Sequence, residues 1–255
     1  MKPAAKPAVL TVDQIDKSDH HYDLFLSDSD EYHFTDTIIV QKAGRDYRIV
    51  DGFEIINAGL PDHYQFPAVC FPENASVLTI LRTLVETRVK KCPLFPIETA
   101  RVFQMIRDNG ISDIDLMEIL FPVLGLKADT MLIDRYLQLL FLTKPIVTYL
   151  IKKNASVKTW LFITKFTRDD QSDLHDLIRL RPTLSVFEEI VSSLYEIQKR
   201  ESLTQKELLT QLQWTTLLTD ENLEPKERIR QIRNAVFRRR FPLLSTHREN
   251  VEKTL

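Results

Sequence analysis

The stretch from Thr37 to Pro67, TIIVQKAGRDYRIVDGFEIINAGLPDHYQFP, restricts the fold more than any other part of the chain. Ile38-Ile39-Val40 is a β-branched run, Gly44-Arg45-Asp46 supplies a turn, and Tyr47-Arg48-Ile49-Val50 alternates again, which predicts a β-hairpin. The pattern breaks at Asp51-Gly52. Ile55, Ile56 and Ala58-Gly59-Leu60 then predict a short helix closed by Gly59, and Pro67-Ala68-Val69-Cys70-Phe71 predicts a third strand. A glycine between strand and helix lets backbone amides approach a bound group, so the turn at Gly52 is a candidate ligand site.

The same segment resembles the central part of the ParB/sulfiredoxin domain, where Y-x-I-x-x-G-E-R-R-x-x-A sits between the same elements. Gly52, Ala58 and Pro67 match the family's glycine, helix alanine and following proline. The resemblance implies an α+β fold: a small ParB/sulfiredoxin-like N-terminal domain, then an all-α helix-turn-helix region and a C-terminal helical domain. It also implies DNA as partner, a role in chromosome partition or DNA regulation, a possible homodimer, and CTP with Mg²⁺ as the family's nucleotide. In the family, arginines after the glycine grip the triphosphate. Here Phe53, Glu54, Ile55 and Ile56 stand there, and a carboxylate at Glu54 repels phosphate, so the expected cofactor is none.

Further along, LFPIETA places Leu94, Pro96, Glu98 and Ala100 where the family has the second half of E-N-x-Q-R-x-x-L-x-P-x-E-x-A. The first half is only partly kept, with Glu86 one residue out of step and Lys90 and Lys91 as the basic positions. Asp51, Gly52, Glu54, Lys90, Lys91 and Glu98 therefore form the expected remnant of a nucleotide site. Read without the family, Pro96 and Glu98 simply open a helix, by fixed φ and a favourable dipole, and the lysine pair is a solvated surface.

The segment from Asp13 to Asp36 holds eight acidic residues against Lys17, with His20, His21 and His33 among them. Such a loop could ligate a divalent metal, but the spacing matches no known site and a solvated surface is the simpler reading, so no metal site is expected. Ala75 to Val89 carries a helical stripe of Val77, Ile80, Leu81, Leu84 and Val85. Asn109-Gly110 ends a following helix, Ser112 with Asp115 caps the next, and a further helix is expected from about Ala128 to Leu140. Short helices about a turn predict a helix-turn-helix, in which Lys127 and Arg135 face DNA. A structural bundle or a protein-binding surface fits the balanced charge there equally well.

Beyond Phe166 the chain reads as helices with loops near Asp169 to Ser172 and at Pro182, and a stripe of Val186, Phe187, Ile190, Leu194 and Ile197. The last helix is the most basic segment: Lys226, Arg228, Arg230, Arg233, Arg238, Arg239 and Arg240 against Glu227. It is the candidate phosphate-contacting element, or else its arginines pair with the acidic loop at Asp13 to Asp36.

These readings divide the chain into an arm at residues 1–8, a ParB/sulfiredoxin-like domain at 9–92, a helix-turn-helix-like domain at 93–166 and a helical domain at 167–255. The formal charge of −2 leaves any basic surface local, and Cys70 and Cys92 lack metal or disulfide spacing. With no signal-peptide core at the N-terminus and the apolar run at Leu137 to Ile151 broken by Lys144-Pro145, a cytoplasmic protein without a membrane anchor is expected. No catalytic residue is assigned. Sulfiredoxin chemistry would need a cysteine beside Gly52, and a nuclease or kinase of the same fold would have to draw on Asp51, Glu54 and Glu98. A protein-interaction module on this scaffold is the remaining alternative to a DNA-binding protein.

Overall fold

The computed structural model describes residues 5–26 and 37–242. Much of the acidic loop, His33 included, and the first residues of the expected arm lie outside these. The chain divides into two compact units, Met1–Leu140 and Phe141–Leu255.

The first unit is built on a five-stranded sheet in the order β1-β5-β3-β4-β2. Its strands are β1 (Lys6–Thr11), β2 (Ile15–Asp16), β3 (Ile38–Ala43), β4 (Asp46–Asp51) and β5 (Gln65–Phe71). β3 and β4 form the expected antiparallel hairpin about Gly44, and β5 returns parallel to β3 after the short helix α1 (Phe53–Asn57). The strand β1 corrects the inner part of the expected arm: Lys6, Pro7 and Ala8 pair with Cys70, Val69 and Ala68 on β5. The proline and lysine at its start concealed the strand, whose first residues are held by backbone pairing with β5 while Leu10 joins the core.

Ile38 to Gln41 are all buried, so both faces of the central strand are covered. On one face Ile38, Val40 and Ile49 pack with Leu10, Phe66, Ile55 and Ile56. By the two-residue alternation of a strand, Ile39 and Gln41 occupy the other face. Helix α2 (Val77–Lys91) buries Ile80, Leu81, Leu84 and Val85 and packs on β4. Its start is set by Ser76, whose hydroxyl accepts from Thr79 N at 3.2 Å.

The helices α3 (Pro96–Asp108), α4 (Asp113–Ile119), α5 (Phe121–Leu124) and α6 (Thr130–Leu137) complete this unit. Arg107 joins three of them, reaching Asp113 on α4 at 2.8 Å and Asp134 on α6 at 2.8 Å. Ser112 caps α4 as expected, accepting from Asp115 N at 3.1 Å. The helix expected over 128–140 is shorter. Asp129 caps it, and Lys127 stands in the loop ahead of it rather than on it.

Among its described residues the second unit holds helices and no strand: α7 (Lys144–Lys152), α8 (Val157–Ile163), α9 (Arg168–Arg179), α10 (Leu184–Glu201), α11 (Gln205–Gln211), α12 (Trp214–Thr219) and α13 (Pro225–Arg240). The expected loop at Asp169 to Ser172 is instead the first turn of α9. Thr167 and Asp170 form a reciprocal cap, with Asp170 N donating to the threonine hydroxyl at 3.2 Å and Thr167 N to the carboxylate at 3.0 Å. The loop at Pro182 and the α10 stripe of Phe187, Ile190, Leu194 and Ile197 agree with the sequence pattern, with Val186 only half-buried.

The boundary at 140 differs from those drawn at 92 and 166, for identifiable reasons. Glu98 and Arg101 on α3 bond to the backbone of Leu26 and Leu24, in the segment that Tyr22 fastens to Gln41 on β3, which ties α3 to the residues before 92. Gln171 on α9 accepts from Thr143 N and donates to Phe166 O, and Tyr149 donates to Pro182 O, so residues 141–166 share a core with α9 and the helices after it. No helix among the described residues is long and apolar enough to cross a membrane.

Candidate functional site

The turn at Gly52 does build a cavity. Gly52 is the N-cap of α1 at φ 98°, ψ 25°, a conformation that side-chain-bearing residues rarely adopt. Ile38 packs directly beneath it, so the strand end and α1 lie close together. The resulting hollow, of about 250 Å³, is bounded by Val50 and Asp51 from β4, by Phe53, Glu54 and Asn57 from α1, by residues 22–26, and by Arg88 from α2.

Residues 22–26 form a wall because several groups fasten them. Tyr22 donates its hydroxyl to Gln41 Oε1 at 3.2 Å and is itself buried, which pushes its phenol up to about 12. Glu98, only 1% exposed, accepts from Leu26 N at 2.9 Å with one carboxylate oxygen and from Phe95 N at 2.8 Å with the other. Arg101 donates to Leu24 O at 3.1 Å, and Arg88 to Leu26 O at 3.4 Å. The Arg88 guanidinium also lies 3.8 Å from Glu98 and over the Phe25 ring at 5.2 Å.

The electrostatics of this hollow are acidic. Asp23, Asp51 and Glu54 line it against Arg88. Burial raises the Asp51 carboxyl above its ordinary range and the nearby Glu54 pushes the same way, while Lys91, Arg88 and the Gly52 amide oppose them. Glu98 is raised too, by burial above all, with its two amide donors and the two arginines acting in the other direction.

Of the six residues expected as a nucleotide-site remnant, Asp51 and Glu54 line the hollow, and Gly52 shapes it. Glu98 stands behind its wall as the cap of α3 and the anchor of Leu26. Lys91 reaches the site only through its field on Asp51, and Lys90 lies exposed in the last turn of α2 outside the lining. Sequence reasoning missed Tyr22, Phe25, Arg88 and Arg101. Arg88 had a legible signal: it falls seven residues after Leu81 and three after Val85, on the stripe that α2 buries, and a charge on a buried stripe implies a partner.

The basic segment forms α13 in the second unit, with Ile232 and Val236 buried against the rest and α10 as its main neighbour. Its arginines are engaged. Arg233 meets Glu189 at 2.7 Å, Arg240 meets Glu196, Arg239 meets Glu201, and Arg230 meets Glu227 within the helix at 2.7 Å. Arg228 donates to the carbonyls of Leu223 and Leu218, and Arg200 from α10 caps the carbonyls of Arg239 and Arg240. The carboxylates seen at these arginines are those of α10 and α13, while much of the loop at Asp13 to Asp36, the other expected partner, lies outside the described residues. Even so, α10 and α13 together carry nine cations against five carboxylates and keep an excess of four positive charges. Lys226 and Arg238 are exposed on the same helix.

On α6 Arg135 is exposed, while Asp134 is turned to Arg107 and Asp129 to the helix N-terminus. Ile114 and Met131 stand out of the helices at 63% and 71% exposure. Among the described residues no group of histidine, cysteine and carboxylate side chains could hold a metal ion.

No protein-family model matches the sequence, and no curated protein matches it. Among solved structures the chain is similar to the C-terminally truncated chromosome-partitioning protein ParB from Caulobacter crescentus, complexed to the centromeric parS site. The identity is 13% and the TM-score 0.32, over 78% of this chain and 95% of that one. The likeness is loose at those values, and the functional reading rests on this chain's own residues.

Proposed function

We propose that the chain is a nucleic-acid-binding protein of ParB-like type, acting in DNA partition or regulation, with its phosphate contacts made by the α10–α13 pair. The observation that supports this most is the excess of positive charge on those two helices in a chain whose formal charge is −2. The ion pairs on α13 do not remove it from phosphate reach. Arg230 and Arg233 keep side-chain exposures of 71 and 50% in their pairs, and a solvent-exposed pair contributes only about 0–1 kcal/mol. A phosphate can displace such a carboxylate at little cost. In this reading Lys127, in the loop ahead of α6, and Arg135, on α6, face the nucleic acid from a helix-turn-helix formed by α4, α5 and α6. The carboxylates around Gly52 argue against CTP as cofactor.

The test is binding of a short DNA duplex at several salt concentrations, with the parent and a Lys226→Ala/Arg230→Ala variant. Neither side chain holds the core, so the fold is retained, as circular dichroism would verify. Log K should fall linearly with log salt, and losing two phosphate contacts should flatten that slope by about two. Absent binding, or an unchanged slope in the variant, refutes the reading.

A further inference from the structure

We infer that the hollow beside Gly52 binds a small organic cation, an ammonium or amidinium group carried on a flat apolar body, rather than a phosphorylated ligand. The inference goes beyond the nucleic-acid reading and does not depend on it. Three properties of the hollow carry it: its shape, its aromatic walls and the sign of its charge.

A volume of about 250 Å³ bounded by two strand-end residues, α1, α2 and the Tyr22–Leu26 wall is a concavity for a small molecule rather than a flat acidic surface. The wall is held in place by the buried Glu98 and Tyr22, so the cavity is formed before any ligand arrives. Phe25 and Phe53 line it, Phe25 with the Arg88 guanidinium over one face and Phe53 stacked with the His20 ring at 6.0 Å, which leaves each ring's remaining surface for a ligand. An aromatic face is a favourable neighbour for a cation and for a flat ring alike.

Charge then selects among ligands. Arg88 is the lining cation, and its guanidinium is shared between Glu98 at 3.8 Å, the Leu26 carbonyl and the Phe25 face. Asp23, Asp51 and Glu54 face the same space. Asp51 is recessed, and Glu54, three residues on at the start of α1, is exposed at the mouth. Lys91 already acts on Asp51 from outside the lining, and a cation placed between Asp51 and Glu54 adds to it by relieving the repulsion of the two carboxylates. A phosphate placed there would meet both carboxylates, so the hollow is closed to a triphosphate by the sign of its charge.

The experiment is a titration of the full chain, followed by amide NMR, with three probes of one shape and three charges: benzylamine, benzyl alcohol and benzoate. CTP with Mg²⁺ is the fourth titrant. Benzylamine should give saturable shifts at residues 51–57 and 22–26, benzyl alcohol weaker ones, and benzoate and CTP none there. Asp51→Asn should weaken benzylamine about tenfold, the value of one hydrogen bond to a charged group, and the exposed Glu54→Gln should weaken it less. Thermal unfolding checks that each variant is folded, and Glu54→Gln carries the test should Asp51→Asn fail to fold. Benzoate or CTP binding as tightly as benzylamine, shifts confined to other residues, or no shift with any probe would overturn the inference.

Discussion

Replacing Gly52 with alanine tests how closely the sheet and α1 are joined. A Cβ on Gly52 would lie 2.6 Å from Ile38 Cγ2, 3.0 Å from Ile38 Cβ and 3.4 Å from Ile38 Cα. The first two distances are inside van der Waals contact. Ile38 cannot yield easily, since it is fully buried in the central strand and its β-branched side chain has few rotamers. The backbone adds a second penalty, because φ of 98° suits glycine alone. A left-handed conformation costs an L-residue about 1–2 kcal/mol, and overpacking a filled core costs about 1–3 kcal/mol. Their sum is about 2–5 kcal/mol. Gly59 is the control: its φ is 77°, and an added Cβ meets nothing within 4 Å. Gly59→Ala should therefore show the backbone cost only, about 1–2 kcal/mol. Urea unfolding followed by far-ultraviolet circular dichroism measures both, since the tryptophans, Trp160 and Trp214, belong to the second unit and do not report on this one. Equal destabilisation by the two variants would refute the close approach of Gly52 to Ile38.

Glu98→Gln should destabilise by about 1–3 kcal/mol, because the amide must turn an NH₂ group toward one of the two backbone donors that the carboxylate now satisfies; chemical denaturation reads this, and a neutral result would mean that Glu98 does not anchor Leu26. Burial holds the Asp51 carboxyl above its ordinary value, so the folded chain binds that proton more tightly than the unfolded one; the stabilisation is fully present below the unfolded pKa and is lost as pH rises through the folded one. Asp51→Asn should accordingly raise stability at neutral pH, with the gain vanishing near about pH 4; thermal melts across that range check it, and destabilisation at neutral pH would contradict the argument. A double-mutant cycle between Arg233 and Glu189, whose side chains are 50 and 37% exposed, should return a coupling of only about 0.2–1 kcal/mol. A coupling several times larger would mean that α13 is locked to α10 and unfit to exchange carboxylates for phosphates.

Much of the first unit was legible because its signals are local. The β-branched runs around Gly44 and the apolar pair after Gly52 each report a backbone state set within a few residues, and the structure agrees with them. The capping pair of Ser112 and Asp115 was legible for the same reason. Thr167 with Asp170 is the same kind of signal, hidden because four polar residues in a row resemble a loop until the threonine ahead of them is read as a cap. The pocket was half legible: Asp51, Gly52 and Glu54 adjoin the glycine turn, whereas Arg88, Tyr22 and Phe25 come from residues distant in sequence.

The sequence by itself determined the local conformations and the composition of each helix face, because dihedral preferences, caps and apolar periodicity act over a handful of residues. Only the tertiary structure decided which groups of opposite charge would meet. The α13 arginines meet the glutamates of α10, and Glu98 meets two backbone amides. Coulombic and hydrogen-bonding partners are chosen by distances of a few ångströms between elements far apart along the chain, and charge written along a sequence carries no such distance.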